Sequence, residues 1–295
     1  MILTELPDLP PRPETAGNAA FRRRFYARWG RENAIVSGRA TLAEYAVMAQ
    51  TLSIKMVSGG AERYFLPGRD VVVDDDNHLV LNEGARYGSL LRAPRPAWTF
   101  AVFFRPGLHA EVAAERLRRL HAVLDTPAAP PRPLTFSEHL RPRGGAVTAR
   151  LRHIAADVQA GERDEQWLEQ QLTALLDAML TVECRAEAVS AAAARRPAQR
   201  VELRRRLRLA ADFIDSHHPE PLTLERMAAA ACLSRYHFVR EFGREFGLSP
   251  HGYLTRKRAR AARRWLDAGM ADREWIALHC GFGSRWSLQR ALARH

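Results

Sequence analysis

Cysteine is scarce in this sequence: Cys184, Cys232 and Cys280 are the only three among 295 residues, and they lie far apart. This spacing matches neither a disulfide framework nor a zinc knuckle, so it favours a reducing compartment. The sequence also lacks an apolar run of the roughly 20 residues needed to cross a bilayer, and its first residues lack a basic-then-apolar signal pattern. We therefore expect a cytoplasmic protein without a membrane partner.

Lysine is also scarce, because Lys55 and Lys257 are the only lysines among 45 basic side chains. The formal net charge is +12, and it is unevenly distributed along the chain. Residues 200–295 carry 19 Arg and Lys against 10 Asp and Glu, whereas the preceding residues are nearly balanced. A basic final third predicts a module that binds a polyanion such as nucleic acid. The alternative is a genome whose codon usage favours arginine.

The length of the chain predicts about two domains. The first residues are rich in proline and polar side chains, a pattern typical of a flexible tail. Changes in the period of the apolar residues indicate the other boundaries. The expected organisation is a tail at 1–20, a β-domain at 21–135, a helical hairpin at 136–190, a linker at 191–200 and a helical domain at 201–295.

The stretch from residue 50 to residue 106 has the pattern of short strands. Val71–Val73 and Leu79–Leu81 flank a turn rich in Asp and Asn, which predicts a β-hairpin. Farther on, strict alternation places one set of apolar residues on a single face of a strand. That set is Trp98, Phe100, Val102 and Phe104. Glycines at short intervals favour a sandwich or a small barrel of antiparallel strands.

Two amphipathic segments follow, with a helix stop between them at Gly161. The first has Leu151 and Ile154 on one stripe, and the second has a broad stripe from Leu168 to Leu180. Two such helices joined by a short loop predict an αα-hairpin. Its apolar face is wide enough to pack on the β-domain or on another copy of the chain.

The helical domain contains a pattern typical of a helix-turn-helix unit. Thr223 and Ser234 are residue types that cap the N-termini of helices. Phe238 and Phe242 lie four residues apart and predict the buried face of the second helix. Burial of these two rings turns the other face outward, where it can enter a major groove of DNA. The residues on that outer face are Arg235, Tyr236, Val239 and Arg240.

A second copy of this unit follows in the sequence. Met227–Phe242 aligns with Ile276–Leu292 at an offset of 49 residues before the turn and 50 after it. The apolar positions coincide, and Ser284 corresponds to Ser234. The outward residues of the second copy are Arg285, Trp286, Gln289 and Arg290. A repeat with the same core spacing and the same arginine placement favours two DNA-reading units over ordinary packing of a helical bundle.

A longer helix is predicted between the two units. Ser249 and Pro250 are typical of an N-cap and a first helical residue, and Gly269 is typical of a helix end. Its length is about 27 Å, close to the ~34 Å of one turn of a DNA duplex. Arg256 and Arg260 of this helix are predicted to contact phosphates between the two reading units.

The C-terminal residues resemble the DNA-binding domain of the AraC/XylS family of bacterial transcription regulators. The matching phrases are LTLERMAAAACLSRYHFVREFGREFGLSPHGYLTRKRARAARRWL and IALHCGFGS. The resemblance implies two helix-turn-helix units whose second helices read DNA, through the two sets of outward residues given above. Members of this family continue into a closing helix, whereas this sequence ends at His295. We therefore expect Leu288 and Leu292 to lack cover and the second unit to be less stable.

The N-terminal half resembles the cupin-like effector domains that precede such DNA-binding domains, through ERYFLPGRDVVVDDDNHLVLNEGARY and FAVFFRPGL. This resemblance implies a small-molecule pocket inside the β-structure and dimerisation through the helical hairpin. The candidate pocket residues are Tyr64, Tyr87, Trp98, Phe100 and Phe104, and core packing is the alternative role for each. The expected fold class is α+β, with a cupin-like antiparallel β-domain and helical hairpin before an all-α double helix-turn-helix domain.

The expected function is a sequence-specific, ligand-responsive transcriptional regulator, not an enzyme, with no cofactor, metal or catalytic residue. Its expected partners are double-stranded promoter DNA, an unidentified effector, a second copy of the chain and RNA polymerase. One alternative is a cupin-type metalloenzyme with a basic helical appendage. Metal cupins need clustered ligands, whereas the strands offer only His78, with His109 after them. Another alternative is a truncated antagonist of a related regulator that does not bind DNA itself.

Overall fold

The computed structural model describes residues 1–4, 27–124, 135–192 and 197–295. The chain divides into two compact units, Met1–Ala192 and Ala193–His295. Residues 5–20 of the predicted tail lie outside the described residues, and so do residues 193–196 of the predicted linker.

The first unit contains a sheet with one continuous order of strands, β1–β2–β7–β3–β6–β8, while β4 pairs with β5 and β7. The strands within the described ranges are β1 (Ile2–Leu3), β2 (Ala34–Ala49), β3 (Ser53–Ser58), β4 (Glu62–Leu66), β5 (Arg69–Val73), β6 (Asn77–Leu81), β7 (Arg86–Phe103) and β8 (Leu140–Pro142).

Strand β7 is long enough to serve both parts of this sheet. Residues 88–91 of β7 pair with β4, residues 98–103 pair with β3, and β2 follows β7 along both parts with two irregularities in register. Buried apolar residues from both parts form one cluster, so the sheet folds over on itself and encloses an interior. This cluster includes Val57, Tyr64, Val71, Val73, Leu79, Leu81, Tyr87 and Leu91.

The hairpin predicted from Val71–Val73 and Leu79–Leu81 is wrong. Strand β5 pairs with β4, whereas β6 pairs with β3 and β8. The cause lies in the turn between them, where Asn77 Oδ1 accepts from the backbone N–H of Asp74 at 3.2 Å. Asp74 Oδ1 in turn accepts from the backbone N–H of Asp76 at 2.9 Å. This side-chain-bonded turn redirects the chain into another part of the sheet instead of folding it back alongside itself.

The predicted tail and linker also need correction at their edges. Ile2–Leu3 are not a free tail, because they pair in parallel with Ile35 and Val36 of β2. The amino group of Met1 also donates to the backbone oxygen of Asn33 at 2.7 Å. The sheet is therefore mixed and not wholly antiparallel as predicted. Residues 197–200 of the predicted linker are helical, since proline suits the first turn of the helix that begins at Pro197.

Helices cover the outer face of β3, β6 and β7. They are α1 (Leu108–Leu124), α2 (Gly145–Gln159) and α3 (Glu165–Ala192). Apolar side chains of strands and helices form one core here, which includes Ile54, Met56, Phe100, Val102, Phe104, Leu151, Ile154, Leu172 and Leu175. The predicted helical hairpin corresponds to α2 and α3, and its apolar face packs on the β-domain, which is one of the two partners expected for it.

All the described secondary-structure elements of the second unit are helices. These are α4 (Pro197–His217), α5 (Leu224–Ala230), α6 (Arg235–Phe246), α7 (Pro250–Asp267), α8 (Arg273–His279) and α9 (Arg285–Arg294). The predicted α+β class is confirmed, with the strands in the first unit and a helix-turn-helix region in the second. Among the described helices, none has the length and apolar content needed to cross a membrane.

We predict that Leu172→Ala lowers the free energy of unfolding of the first unit by about 2–5 kcal/mol, because it leaves a cavity at a fully buried position of α3. Val182→Ala is the matched control, since Val182 lies on the same helix and is 40% exposed. It should change the free energy by less than about 0.5 kcal/mol. Urea unfolding followed by circular dichroism measures both changes, and equal losses would contradict the packing of α3 on the sheet.

Candidate nucleic-acid interface

The first helix-turn-helix unit consists of α5 and α6, and both predicted N-caps are confirmed. Thr223 Oγ1 accepts a hydrogen bond from the backbone N–H of Arg226 at 3.3 Å. Ser234 Oγ accepts one from the backbone N–H of His237 at 3.4 Å. Helix α6 ends at Gly247, whose φ of 69° is the left-handed conformation that favours glycine. These caps fix where α6 begins and ends, and so which of its residues share a face.

The two phenylalanines of α6 hold it against the rest of the unit. Phe238 and Phe242 are fully buried, with ring centroids 5.1 Å apart in an edge-to-face arrangement. Phe242 also meets the ring of Tyr253 on α7 edge-on at 5.5 Å. Because this face is buried, the other face of α6 turns to solvent. The exposed residues there are Arg235, Tyr236, Val239 and Arg240, with Tyr236 at 78%.

The second helix-turn-helix unit, formed by α8 and α9, repeats this arrangement. Asp272 caps α8, and Ser284 caps α9 by accepting from the backbone N–H of Ser287 at 3.2 Å. The Ser287 hydroxyl accepts in return from the backbone N–H of Ser284, which completes a capping box. Leu288 is buried on the inner face of α9. The outer face carries Arg285, Trp286, Gln289 and Arg290, all exposed, with Trp286 at 64%.

The turns of the two units share a backbone conformation. Cys232 has a φ of 50° and is the one non-glycine residue with a positive φ in the described part of the chain. Gly281, which the alignment sets opposite Cys232, has a φ of 81°. The left-handed region is strained for a residue with a Cβ and free of strain for glycine. The repeat therefore extends from sequence to geometry, with the strain confined to the first turn.

Helix α7 is common to both units. Leu254 in its first half joins the core of Phe238 and Phe242, while Ala262 in its second half joins the core of Ile276 and Leu288. The expectation that Leu288 lacks cover is therefore wrong, since Leu288 is 1% exposed beneath α7.

The cover extends to the end of α9. Leu292 is half-buried against the same cluster as Leu288. Its backbone oxygen accepts from the guanidinium of Arg263 on α7 at 3.1 Å. The core of the second helix-turn-helix unit is thus covered by α7 and α9.

Arg258 is a positioning residue that the sequence did not single out. From α7 its Nε donates to the backbone oxygen of His218 at 2.6 Å, and its Nη2 donates to that of Glu220 at 2.7 Å. A Cβ on Gly281 would lie 2.8 Å from the same Nε. Burial lowers the pKa of Arg258 from its usual value. Arg258 therefore joins the α4–α5 loop, α7 and the turn between α8 and α9.

The arginines on the two outer faces differ in their present partners. Arg235 pairs with Glu225 of α5 at 2.7 Å, and Arg240 pairs with Glu241 at 2.8 Å. On α9 the guanidinium of Arg285 lies 5.5 Å from the ring centroid of Trp286. Both partners of the Arg235–Glu225 pair are exposed, and exposed pairs contribute about 0–1 kcal/mol, so Arg235 can exchange this partner for another anion at little cost.

The two arginines predicted on the connecting helix lie four residues apart, on one side of α7. Arg256 is half-buried, and its guanidinium lies 5.5 Å from the centroid of the Tyr253 ring. Arg260 is exposed. Both are in the helix that joins the reading units, so a phosphate-binding role stays a prediction consistent with their position.

The β-domain, in the unit Met1–Ala192, contains a cavity. Its empty space is about 660 Å3 when the part open to solvent is included. Tyr64 on β4 and Tyr87 on the adjacent strand β7 line it side by side, with ring centroids 6.0 Å apart. Trp98 and Phe104 do not line it, because they belong to the core beneath the helices. Phe100 contributes to the cavity wall, while its ring packs in that same helix-facing core.

Two buried charged groups of this cavity escaped the sequence analysis. Lys55 on β3 is 3% exposed, and Glu62 on β4 is 4% exposed. Burial lowers the pKa of Lys55 well below its usual range and raises the pKa of Glu62. The cavity is therefore an apolar chamber with specific polar groups, as small-molecule sites are. Across the described residues, no three His, Cys, Asp or Glu side chains cluster as metal ligands would.

A helix-turn-helix domain family matches residues 227–295. The HTH-type transcriptional regulator Rv1931c of Mycobacterium tuberculosis is 38% identical over 68 residues, which are 23% of this chain and 26% of that protein. The "Probable transcriptional regulator LumQ" of Photobacterium leiognathi is 26% identical over 83 residues, which are 28% of this chain and 34% of LumQ. The matched region thus spans at most 34% of either relative.

Among solved structures, the DNA-binding domain of AdpA in complex with a target DNA matches with 29% sequence identity. The match covers 30% of this chain and 80% of that chain, with a TM-score of 0.29.

We predict that Gly281→Ala destabilises the second helix-turn-helix unit by about 1–3 kcal/mol, because the left-handed backbone there is strained for alanine. Its Cβ would also lie 2.7 Å from the backbone oxygens of His218 and Pro219. Gly283→Ala is the matched control two residues away, where a Cβ would meet nothing within 4 Å. Thermal unfolding and amide exchange of α9 measure the difference, and equal behaviour of the two variants would refute this view of the junction.

The opposite change is predicted for the first turn. Cys232→Gly should stabilise the unit by about 0.5–1 kcal/mol, because it relieves the strain of a side chain at positive φ. Cys232→Ala removes the thiol and keeps the strain, so it should give no gain. Hydrogen exchange in α5 and α6 over a urea series measures both, and a gain with alanine equal to that with glycine would contradict the argument.

Proposed function

We propose that this protein, whose C-terminal region is a helix-turn-helix domain of the AraC type, is a sequence-specific DNA-binding transcriptional regulator that responds to a small molecule. In this proposal the helical unit, Ala193–His295, binds promoter DNA through two reading helices, α6 and α9. The first unit binds the effector and is not an enzyme. The cellular place of action is the cytoplasm.

The observation that carries the proposal is the pair of equivalent exposed aromatics. Tyr236 and Trp286 are among the most exposed large apolar side chains in the described residues, and they hold the same position in the two units. Each is followed four residues later by an exposed arginine, Arg240 or Arg290. An exposed aromatic next to arginine suits base edges and sugars, because the ring supplies apolar contact and the guanidinium binds guanine or phosphate.

The assigned reading residues follow from this geometry. Arg235, Tyr236, Val239 and Arg240 would enter one stretch of major groove, and Arg285, Trp286, Gln289 and Arg290 the next. The connecting helix α7 is 18 residues long. This corresponds to about 27 Å, so two reading helices at its ends can meet successive turns on one side of a duplex.

The regulatory part of the proposal assigns the effector to the cavity in the β-domain. The cavity has the largely apolar and aromatic lining that small-molecule sites have. A dimer formed through the helical hairpin, and a contact with RNA polymerase, belong to the same proposal. Sedimentation of the full chain, alone and with operator DNA, tests the dimer directly, because a one-to-one complex at all concentrations would exclude it.

The primary test is selection of binding sites from random duplex DNA with the full chain, followed by affinity measurements on the selected site. We expect a selected sequence with two separated contacts and an affinity that falls steeply with salt, because phosphate contacts release counterions. Absence of an enriched sequence, or an affinity that does not change with salt, would overturn the proposal.

We predict that Arg290→Ala weakens binding to the selected site by about 1–3 kcal/mol and relaxes the preference at one base position, because a base-reading arginine is lost. Arg119→Ala is the matched control, since it removes the same charge from a residue that is 78% exposed in the first unit. Its affinity and specificity should equal those of the wild type. If both variants behave alike, Arg290 does not read a base.

A different result is predicted for Arg256→Ala. A phosphate contact carries no sequence information, so affinity should fall for all sequences and the salt slope should decrease by about 1. Binding isotherms over a range of salt concentrations, on selected and on scrambled DNA, measure this. A loss restricted to the selected sequence would reassign Arg256 to base reading.

A further inference from the structure

Lys55 is a buried lysine in the interior of the β-domain, where an anionic partner would favour the protonated form that burial disfavours. Its neighbour two residues along β3, Val57, belongs to the interior cluster, so Lys55 faces the interior too. The Nζ atom lies 3.4 Å from the centroid of the Phe103 ring and 5.2 Å from that of Tyr87. Within the described residues, no hydrogen bond or ion pair reaches this ammonium. Its N–H donors thus lie beside two aromatic rings, and Glu62 acts on the amine electrostatically without a hydrogen bond or ion pair to it.

The nearest carboxylate of the cavity is directed elsewhere. Glu62 accepts a hydrogen bond from Ser89 Oγ at 2.6 Å and another from the Tyr64 hydroxyl. No ion pair in the described part of the chain joins Glu62 to Lys55. Other titratable groups that line the cavity are the hydroxyls of Tyr45 and Tyr87. A buried charge without a hydrogen-bonding partner is costly, so this arrangement leaves a place for an anionic group beside Lys55.

The rest of the cavity wall is largely apolar and aromatic. Trp29, Met48 and Phe103 line it together with the rings of the tyrosines. Flat rings stack or meet edge-to-face with such walls. A ligand that fills this space therefore needs a flat apolar body and one group that binds Lys55.

We propose that the cavity binds a small aromatic carboxylate, with its ring against the aromatic wall and its carboxylate paired with Lys55. A carboxylate supplies the charge-assisted hydrogen bonds that the ammonium lacks. A neutral ligand would leave those donors unfilled, and a cationic one would meet Lys55 as a like charge. The effector role of this ligand rests on the proposed function, whereas its binding does not.

The test is isothermal titration calorimetry of the full chain with 2-naphthoate, and with 2-naphthamide as the uncharged isostere. We expect naphthoate to bind the wild type at least about tenfold more tightly than the amide, because only the carboxylate pairs with the charge on Lys55. In Lys55→Met the preference should disappear while the amide still binds. Circular dichroism and thermal unfolding of this variant show whether it remains folded.

Glu62→Gln is the second variant, and it keeps the Lys55 ammonium. It removes a neighbouring carboxylate that competes electrostatically with the ligand, so naphthoate should bind as tightly as in the wild type or more tightly. A loss of naphthoate binding in Glu62→Gln would overturn the assignment of the carboxylate to Lys55. Equal binding of acid and amide, a preference that survives Lys55→Met, or no binding of naphthoate would each overturn the proposal.

The same protein preparations are then assayed for binding to the selected DNA site. Intact DNA binding without naphthoate binding would overturn the ligand proposal and leave the DNA-binding function standing. Naphthoate binding that depends on Lys55 but leaves DNA affinity unchanged would support the ligand site and count against an effector role. Naphthoate binding by a chain that selects no DNA sequence would support the site and overturn the proposed function.

Discussion

The helical unit, Ala193–His295, depends on the packing of two short helix pairs against one shared helix. Isolated helices of fewer than about 12–15 residues are marginal in water, and α5, α6, α8 and α9 are all that short. Each pair is stable because it buries its apolar face against α7, with Phe238 and Phe242 at one end and Leu288 at the other. The outward direction of every candidate reading residue follows from this burial.

The helical unit could be predicted from the sequence in most respects, because its signals are local. A period of 3.6 residues, a capping serine and a pair of phenylalanines each act within a few residues, so the helix starts and the outward faces follow directly. The pairing of strands could not be predicted in the same way. Whether β5 meets β4 or β6 depends on the side-chain bonds of Asp74 and on partners far along the chain.

The candidate sites differ in the same respect. Residues such as Trp286 are identified by elimination, since an apolar side chain off the buried stripe must be exposed. Arg258 carries no such signal, because its sequence neighbours are also basic and only the fold brings backbone oxygens to it. Lys55 did carry a signal, as one of two lysines and the one that stands between apolar residues of a strand.

Strand β7 has a mechanical consequence for the first unit. Near its start Tyr87 and Ser89 border the cavity, and near its end Val102 packs beneath the helical hairpin. Hydrogen bonds to neighbouring strands hold residues 86–92 and 97–103 of β7, whereas residues 93–96 between them, which include Pro94 and Pro96, pair with no described neighbouring strand. The interior and the helix-bearing surface of the β-domain are thereby joined by one continuous strand backbone that passes through a short stretch without strand pairing.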